Sequence, residues 1–176
     1  DDAYSPGRRA GLRPDHATVV YSNRVREAFP DIPIIIGGLE ASLRRFAHYD
    51  YWEDKVRRSV LFDSQADILT YGMGEAATLE IAARLASGTP VSEITDVRGT
   101  CVIVRYPDIC AYPRVEVPSF EEVSASKTAY ARANMAEYQE HDAVSGRAIV
   151  QRHGDRFLIV NPPAFPLTTQ ELDRVA

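Results

Sequence analysis

Two glycine-rich runs are the places where residue types and spacing could do chemistry: Gly37-Gly38 and Gly72-Met73-Gly74. Each follows a short apolar run with the look of a strand. In an open parallel sheet, ligands collect outside the carboxyl ends of the strands, where helix N-termini present free amides. Glycine at such an end lets a ligand approach the backbone and permits positive φ. Gly37, Gly38, Glu40, Gly72, Gly74 and Glu75 are therefore the candidate ligand-pocket residues, with Glu75 able to accept from ligand hydroxyls. The same glycines serve equally well as tight strand-to-helix turns. Glu75, in a first helical turn, is explained more simply by the helix dipole. Neither run matches G-x-G-x-x-G, and there is no G-x-x-x-x-G-K-[ST] loop, which disfavours nucleotide binding by those routes.

The densest polar–aromatic cluster is His48-Tyr49-Asp50-Tyr51-Trp52, flanked by Arg44-Arg45 and Arg57-Arg58. It could hold an anion or stack a flat ring. His48, Asp50 and Trp52 read better as a structural or interdomain cluster than as acid–base catalysts, because one His near one Asp makes no dyad without geometry. The four histidines are scattered, and nothing has zinc-site spacing. Cys101 sits inside an apolar run, where it reads as a buried small hydrophobe. No nucleophile-elbow pattern is present. No catalytic residue and no metal ligand are assigned.

Elements must position these residues. Residues 14–29 place Ala17, Tyr21, Val25 and Ala28 at helical spacing, and residues 40–46 and 75–86 are further helix candidates. Residues 32–36, 67–71 and 100–105 read as strands, the first two ending at the glycine runs. Residues 49–58 read as a loop leading into a short helix. Alternation of helix and strand implies parallel strands with crossover helices, an α/β Rossmann-like or flavodoxin-like layer over residues 1–106. Beyond residue 106, prolines break an extended stretch. Ser119 and Glu122 offer a capping box for one polar helix over 120–141, and His153-Gly154-Asp155 marks a hairpin. Residues 107–176 thus form an extension with a helix and a β-hairpin.

The 176 residues, 45% hydrophobic and 26% charged, describe an ordinary globular chain with room for a core. A net charge of −5 argues against a dominant nucleic-acid or anionic-membrane surface. No apolar run has the length of a membrane span. Two cysteines make no disulfide framework and suit a reducing cytoplasm. The chain begins without Met, and Thr168 and Glu171 open a helix only a few residues before its end, as a fragment of a longer protein would.

The block from Gly37 through Trp52 (GGLEASLRRFAHYDYW), with Val56-Arg57-Arg58-Ser59 and Asp63-Ser64-Gln65-Ala66-Asp67, resembles the N-terminal domain of YgiQ-type radical SAM proteins. So do Tyr71-Gly72-Met73-Gly74-Glu75, Pro118-Ser119-Phe120-Glu121, Gln151-Arg152-His153-Gly154-Asp155-Arg156 and Asn161-Pro162-Pro163-Ala164. The resemblance implies a domain in front of a radical SAM barrel, whose Cys-x3-Cys-x2-Cys loop carries a [4Fe-4S] cluster and uses S-adenosylmethionine. That cysteine loop is absent here, so the implied chemistry lies in the rest of the polypeptide, on a substrate the resemblance does not name. Whether the parent is an enzyme is left to that downstream part.

A looser similarity links the two glycine runs to cobalamin-binding domains of other radical SAM enzymes, with Met73 where those have a glutamate. The cobalt-ligating Asp-x-His-x-x-Gly loop is missing, which disfavours cobalamin. The expected role is an accessory domain packed on or capping the barrel of the same polypeptide, without membrane or nucleic-acid partners. The alternative is a cobalamin- or nucleotide-like ligand module at the glycine runs.

Overall fold

The computed structural model describes residues 2, 3 and 5–175; Asp1 and Tyr4 of the expected opening loop, and Ala176, lie outside the described residues. In chain order the elements are α1 (Ala17–Ala28), β1 (Ile35–Ile36), α2 (Gly38–Leu43), β2 (His48–Asp50), β3 (Lys55–Arg57), α3 (Val60–Ser64), β4 (Ile68–Thr70) and α4 (Glu75–Ala86). They continue with β5 (Thr100–Val104), β6 (Arg114–Val117), α5 (Phe120–Ala125), α6 (Lys127–Gln139), β7 (Ala148–His153), β8 (Arg156–Val160) and α7 (Thr169–Val175).

Six strands form one sheet in the order β1-β4-β5-β8-β7-β6, with β2 and β3 as a separate hairpin. Side chains alternate across this sheet as the two-residue period of a strand requires. Leu69, Cys101, Leu158 and Ile149 face a core closed by α2, α3, α5 and α6. Ile68, Val102, Ile159 and Val150 face the opposite core, closed by Ala77 and Ile81 of α4. The expected α/β layer with flanking helices, Rossmann-like in character, is what forms. It carries the expected helical and hairpin extension, whose strands β7 and β8 join the same sheet.

Strand direction departs from the expectation. β1 and β4 are parallel, but β5 runs antiparallel to β4 and to β8. The cause is the connection after α4. Residues 87–98 travel back up the sheet face with Ile94 and Val97 buried beneath them, so β5 enters from the edge where β4 ends. The Tyr71 N–H donating to Gly99 O at 2.9 Å fixes that entry point. A second passage across the face replaces the parallel crossover, and the sheet is mixed.

Three other segments differ. Residues 49–58 fold as the β2–β3 hairpin, because Asp50 Oδ1 accepts from the backbone N–H groups of Trp52 (3.0 Å) and Glu53 (3.3 Å) and closes the turn. The helix expected over 120–141 breaks at Ser126, whose backbone is extended and whose hydroxyl caps α6 by accepting from Ala129 N. The strand expected over 32–36 shortens to Ile35–Ile36: Pro33 has no N–H to give, and Ile34 N donates to Asp67 Oδ2 at 2.7 Å. The Ser119–Glu122 capping box and the 148–160 hairpin form as expected.

Candidate functional site

Parallel pairing of β1 with β4 brings the two glycine bends side by side at one edge of the sheet. Thr70, the last residue of β4, lies between them. A Cβ on Gly37 would stand 2.5 Å from Thr70 Oγ1, and one on Gly74 would stand 3.5 Å from the same atom. Gly37 is extended and needs no special φ; what it supplies is room for Thr70. Gly38 (φ 82°) and Gly72 (φ 67°) hold the left-handed conformations that turn strand into helix, and the space above both is open.

The two carboxylates assigned to this pocket behave differently. Glu40 is held by its own protein: Oε2 accepts from Thr18 Oγ1 at 2.6 Å, and Oε1 from Arg44 Nη1 at 3.2 Å. Glu75 stands exposed in the first turn of α4. Thus four glycines are brought together, Glu40 is already occupied, and Glu75 looks out to solvent.

Behind this edge lies a group of polar side chains that sequence spacing did not single out. Tyr71, directly after β4, donates its hydroxyl to Asn161 O at 2.5 Å, and the Arg45 guanidinium lies 4.8 Å from the Tyr71 ring centroid. Burial pushes the Tyr71 hydroxyl well above its usual range. Glu137 of α6 lines the same small enclosure; burial pushes its carboxyl up to about 7, with Arg45 opposing.

The His48–Trp52 cluster is not one site. Trp52 is exposed at the hairpin tip, its ring tilted by 31° against that of Tyr51 at 4.5 Å between centroids. His48 Nδ1 lies 3.1 Å from Phe46 O, and burial holds its pKa below the usual value. Asp50 is buried; burial raises its carboxyl, but the two backbone donors, His16 and Arg44 outweigh that and hold it below the usual range. Asp50 gathers a charged corner. His16 Nε2 lies 3.4 Å from Glu53 Oε1 and 3.8 Å from Asp50 Oδ2. His16 Nδ1 lies 2.9 Å from Arg44 Nη1, and Nε2 also lies 3.4 Å from Arg57 Nη1, so the imidazole sits between two guanidinium groups and two carboxylates. Arg57 bonds both Glu53 (2.6 Å) and Asp63 (3.0 Å). These partners come from separate elements, so no local spacing announces them.

Cys101 is fully buried, its thiol pushed up to about 12 by that burial, and Cys110 lies apart on the loop after β5. Among the described residues, no group of three or more His, Cys, Asp or Glu could hold a metal ion. With two cysteines, one of them fully buried, the described residues do not offer the donor set of an iron–sulfur cluster. No helix of the described residues is long and apolar enough to cross a membrane.

The fold is a mixed α/β sheet with both strand-to-helix bends on one edge. The chain belongs to the radical SAM N-terminal family, whose model matches residues 1–176. Its relatives are UPF0313 proteins, the YgiQ-type group. One from Geobacter sulfurreducens is 53% identical over 175 residues, covering 99% of this chain and 29% of that protein. One from Clostridium botulinum is 52% identical over 176 residues, with 99% and 27% covered. One from Methanocella arvoryzae is 50% identical over 176 residues, with 99% and 29% covered. The chain thus spans less than a third of the length of these relatives. No solved structure matches it.

Proposed function

We propose that this chain is the accessory N-terminal domain of a radical SAM, [4Fe-4S]-dependent enzyme, packing on a catalytic barrel in the same polypeptide and helping to keep water from its radical site. The observation that carries the reading is the way the chain leaves the sheet. β8 runs in the same direction as β1 and β4, so it ends at the edge that holds the glycine bends. Asn161 and Pro162 then cross that edge, tied by Tyr71 Oη and by Gly99 N donating to Pro162 O at 2.8 Å. On this reading the proline-rich segment from Pro162 to Pro166, which follows the last strand, leads from this edge toward the barrel. Exclusion of water is a physical need of a reactive intermediate, and a domain seated over the barrel mouth serves it.

The cluster and S-adenosylmethionine belong, on this reading, to the downstream part, since the cysteines here do not fit them. Two free cysteines, one of them buried, suit the reducing cytoplasm. The ligand-module reading has less support: Thr70 accounts for Gly37, and Thr18 with Arg44 accounts for Glu40.

The test is deletion of residues 1–176 from the full-length protein. Iron content per chain should be retained, while solvent deuterium should enter 5′-deoxyadenosine more readily during S-adenosylmethionine cleavage. Loss of the bound iron on deletion, or cleavage as well shielded from solvent as in the intact protein, would overturn the proposal.

A further inference from the structure

Helix α1 is turned inside out. A surface helix ordinarily buries its apolar stripe and shows its polar face to water. Here the inward side is largely polar, with only Val19 packed against the core. Thr18 bonds Glu40, Ser22 is buried, and Asn23 Nδ2 donates to Asp63 O at 3.1 Å. Arg26 ties the carbonyls of Pro30 and Ile32 to Gln65 O and the Asp67 carboxylate. The apolar stripe points away: Tyr21 is 56% exposed, Val25 41% and Phe29 55%. Tyr21 and Val25 are four residues apart on one face of α1, and Phe29, four further on, is its C-cap.

A second exposed pair belongs to the neighbouring helix. Leu39 (77%) and Leu43 (69%) are four residues apart on α2 and share a face. The Thr18–Glu40 hydrogen bond joins the two helices, and Tyr21 and Leu43 each lie one turn from it. The exposed apolar side chains therefore lie on two hydrogen-bonded helices, the second of which starts at the glycine-bend edge.

We infer that this α1–α2 patch is the surface on which the downstream part of the same polypeptide docks. The inference rests on the accessory-domain reading and adds the face. The occupant follows from length: more than two thirds of each relative lies outside the matched segment, and the family model is of an N-terminal domain. A tethered partner reaches an effective concentration in the millimolar range, far above that of a second copy in solution. Apolar side chains that neither the sheet nor another helix covers are where such a partner gains from burying area.

The test uses the full-length protein with a photo-crosslinking amino acid placed singly at Tyr21, Leu43, Met73 or Tyr138. All four positions are exposed, so the substitutions leave folding intact. Crosslinks from Tyr21 and Leu43 should run within one chain to peptides beyond residue 176. Their yield should exceed that from Tyr138 on α6 several-fold, because the tether raises encounters at all positions alike and only docking favours one face. Crosslinks that join two chains would assign the patch to a second copy and overturn the inference. If Met73, beside the glycine bends, reaches downstream peptides while Tyr21 and Leu43 do not, the face is wrong and the accessory role stands. If none of the three does, both fail.

Discussion

The middle of the sheet and the α1–α2–hairpin corner are built by different forces. Around β4, β5 and β8 the side chains are aliphatic and dry; Leu69, Cys101, Leu158 and Ile159 have no measurable exposure. At the corner, His16, Glu40, Arg44, Asp50, Glu53, Arg57 and Asp63 are held by hydrogen bonds and ion pairs, several of them partly open to water. Burial of apolar area is non-directional and indifferent to moderate salt, whereas paired charges fix orientation and respond to salt and pH. The contrast teaches that the sheet carries the stability and the corner sets the pose of α1 and α2, the helices whose outer faces are left uncovered.

The largest effect is expected in the dry region. Leu158→Ala removes buried methyl groups from a fully enclosed site and should lower unfolding free energy by roughly 2–5 kcal/mol. Urea titration measures it, and the loss should be the same at low and high sodium chloride. A loss under about 1 kcal/mol would mean that the core collapses around the gap and is looser than its burial implies.

Two titratable groups, the buried His153 and the half-buried Glu137, respond to pH in opposite senses. His153 is stacked between Phe62 and Phe120, and burial pushes its pKa down to about 4 from 6.5. Its folded pKa lies below the unfolded value, so stability is complete above 6.5 and falls as pH drops toward 4, by on the order of 3 kcal/mol. Glu137 has the opposite sign: its pKa is raised from 4.5 to about 7, so stability falls as pH rises through that interval. Between 4.5 and 6.5 the two slopes oppose each other in the wild type. His153→Phe should leave stability falling with pH there, and Glu137→Gln should leave it rising. Thermal unfolding across that range decides it; parallel profiles in all three proteins would remove both groups from the account.

Gly37→Ala tests the contact between the bends. Its backbone is extended, so an alanine is unstrained there, but its methyl would lie 2.5 Å from Thr70 Oγ1. The expected cost is about 1–3 kcal/mol, largely relieved in a Thr70→Ala background. A cost that Thr70→Ala leaves unchanged would mean that Gly37 serves something other than Thr70.

How much of this was legible follows from how local each rule is. The adjacent glycine bends, the Ser119–Glu122 and Thr168–Glu171 capping boxes and the 148–160 hairpin all depend on residues within a few positions of one another, and all form. The direction of β5 depends on residues 87–98 crossing the sheet a second time, and an apolar run reads the same in either direction. The period of α1 was plain from Tyr21 and Val25, but period gives a face and not what lies against it. The hairpin at 48–57 hid in a polar, aromatic run because its turn is made by the Asp50 side chain. The His16 corner was invisible because its partners are separated by up to 47 residues of chain.

The smallest expected effect probes that corner. Arg57 joins β3 to α3 through Asp63 and to the hairpin turn through Glu53. Its side chain is only 22% exposed, so its pairs are better shielded than most surface bridges. Arg57→Ala should still cost only about 1 kcal/mol, because each pair gains against a hydrated alternative. That cost should shrink in 1 M sodium chloride, where the Debye length is about 3 Å, while the Leu158→Ala cost persists. The diagnostic result is the ratio of the two losses at low and high salt. If both hold constant, Arg57 acts through the packing of its stem, and the corner is built like the rest of the molecule. If only the Arg57 loss shrinks, charge sets the pose of the hairpin against α3, and salt should loosen the corner while leaving the sheet intact.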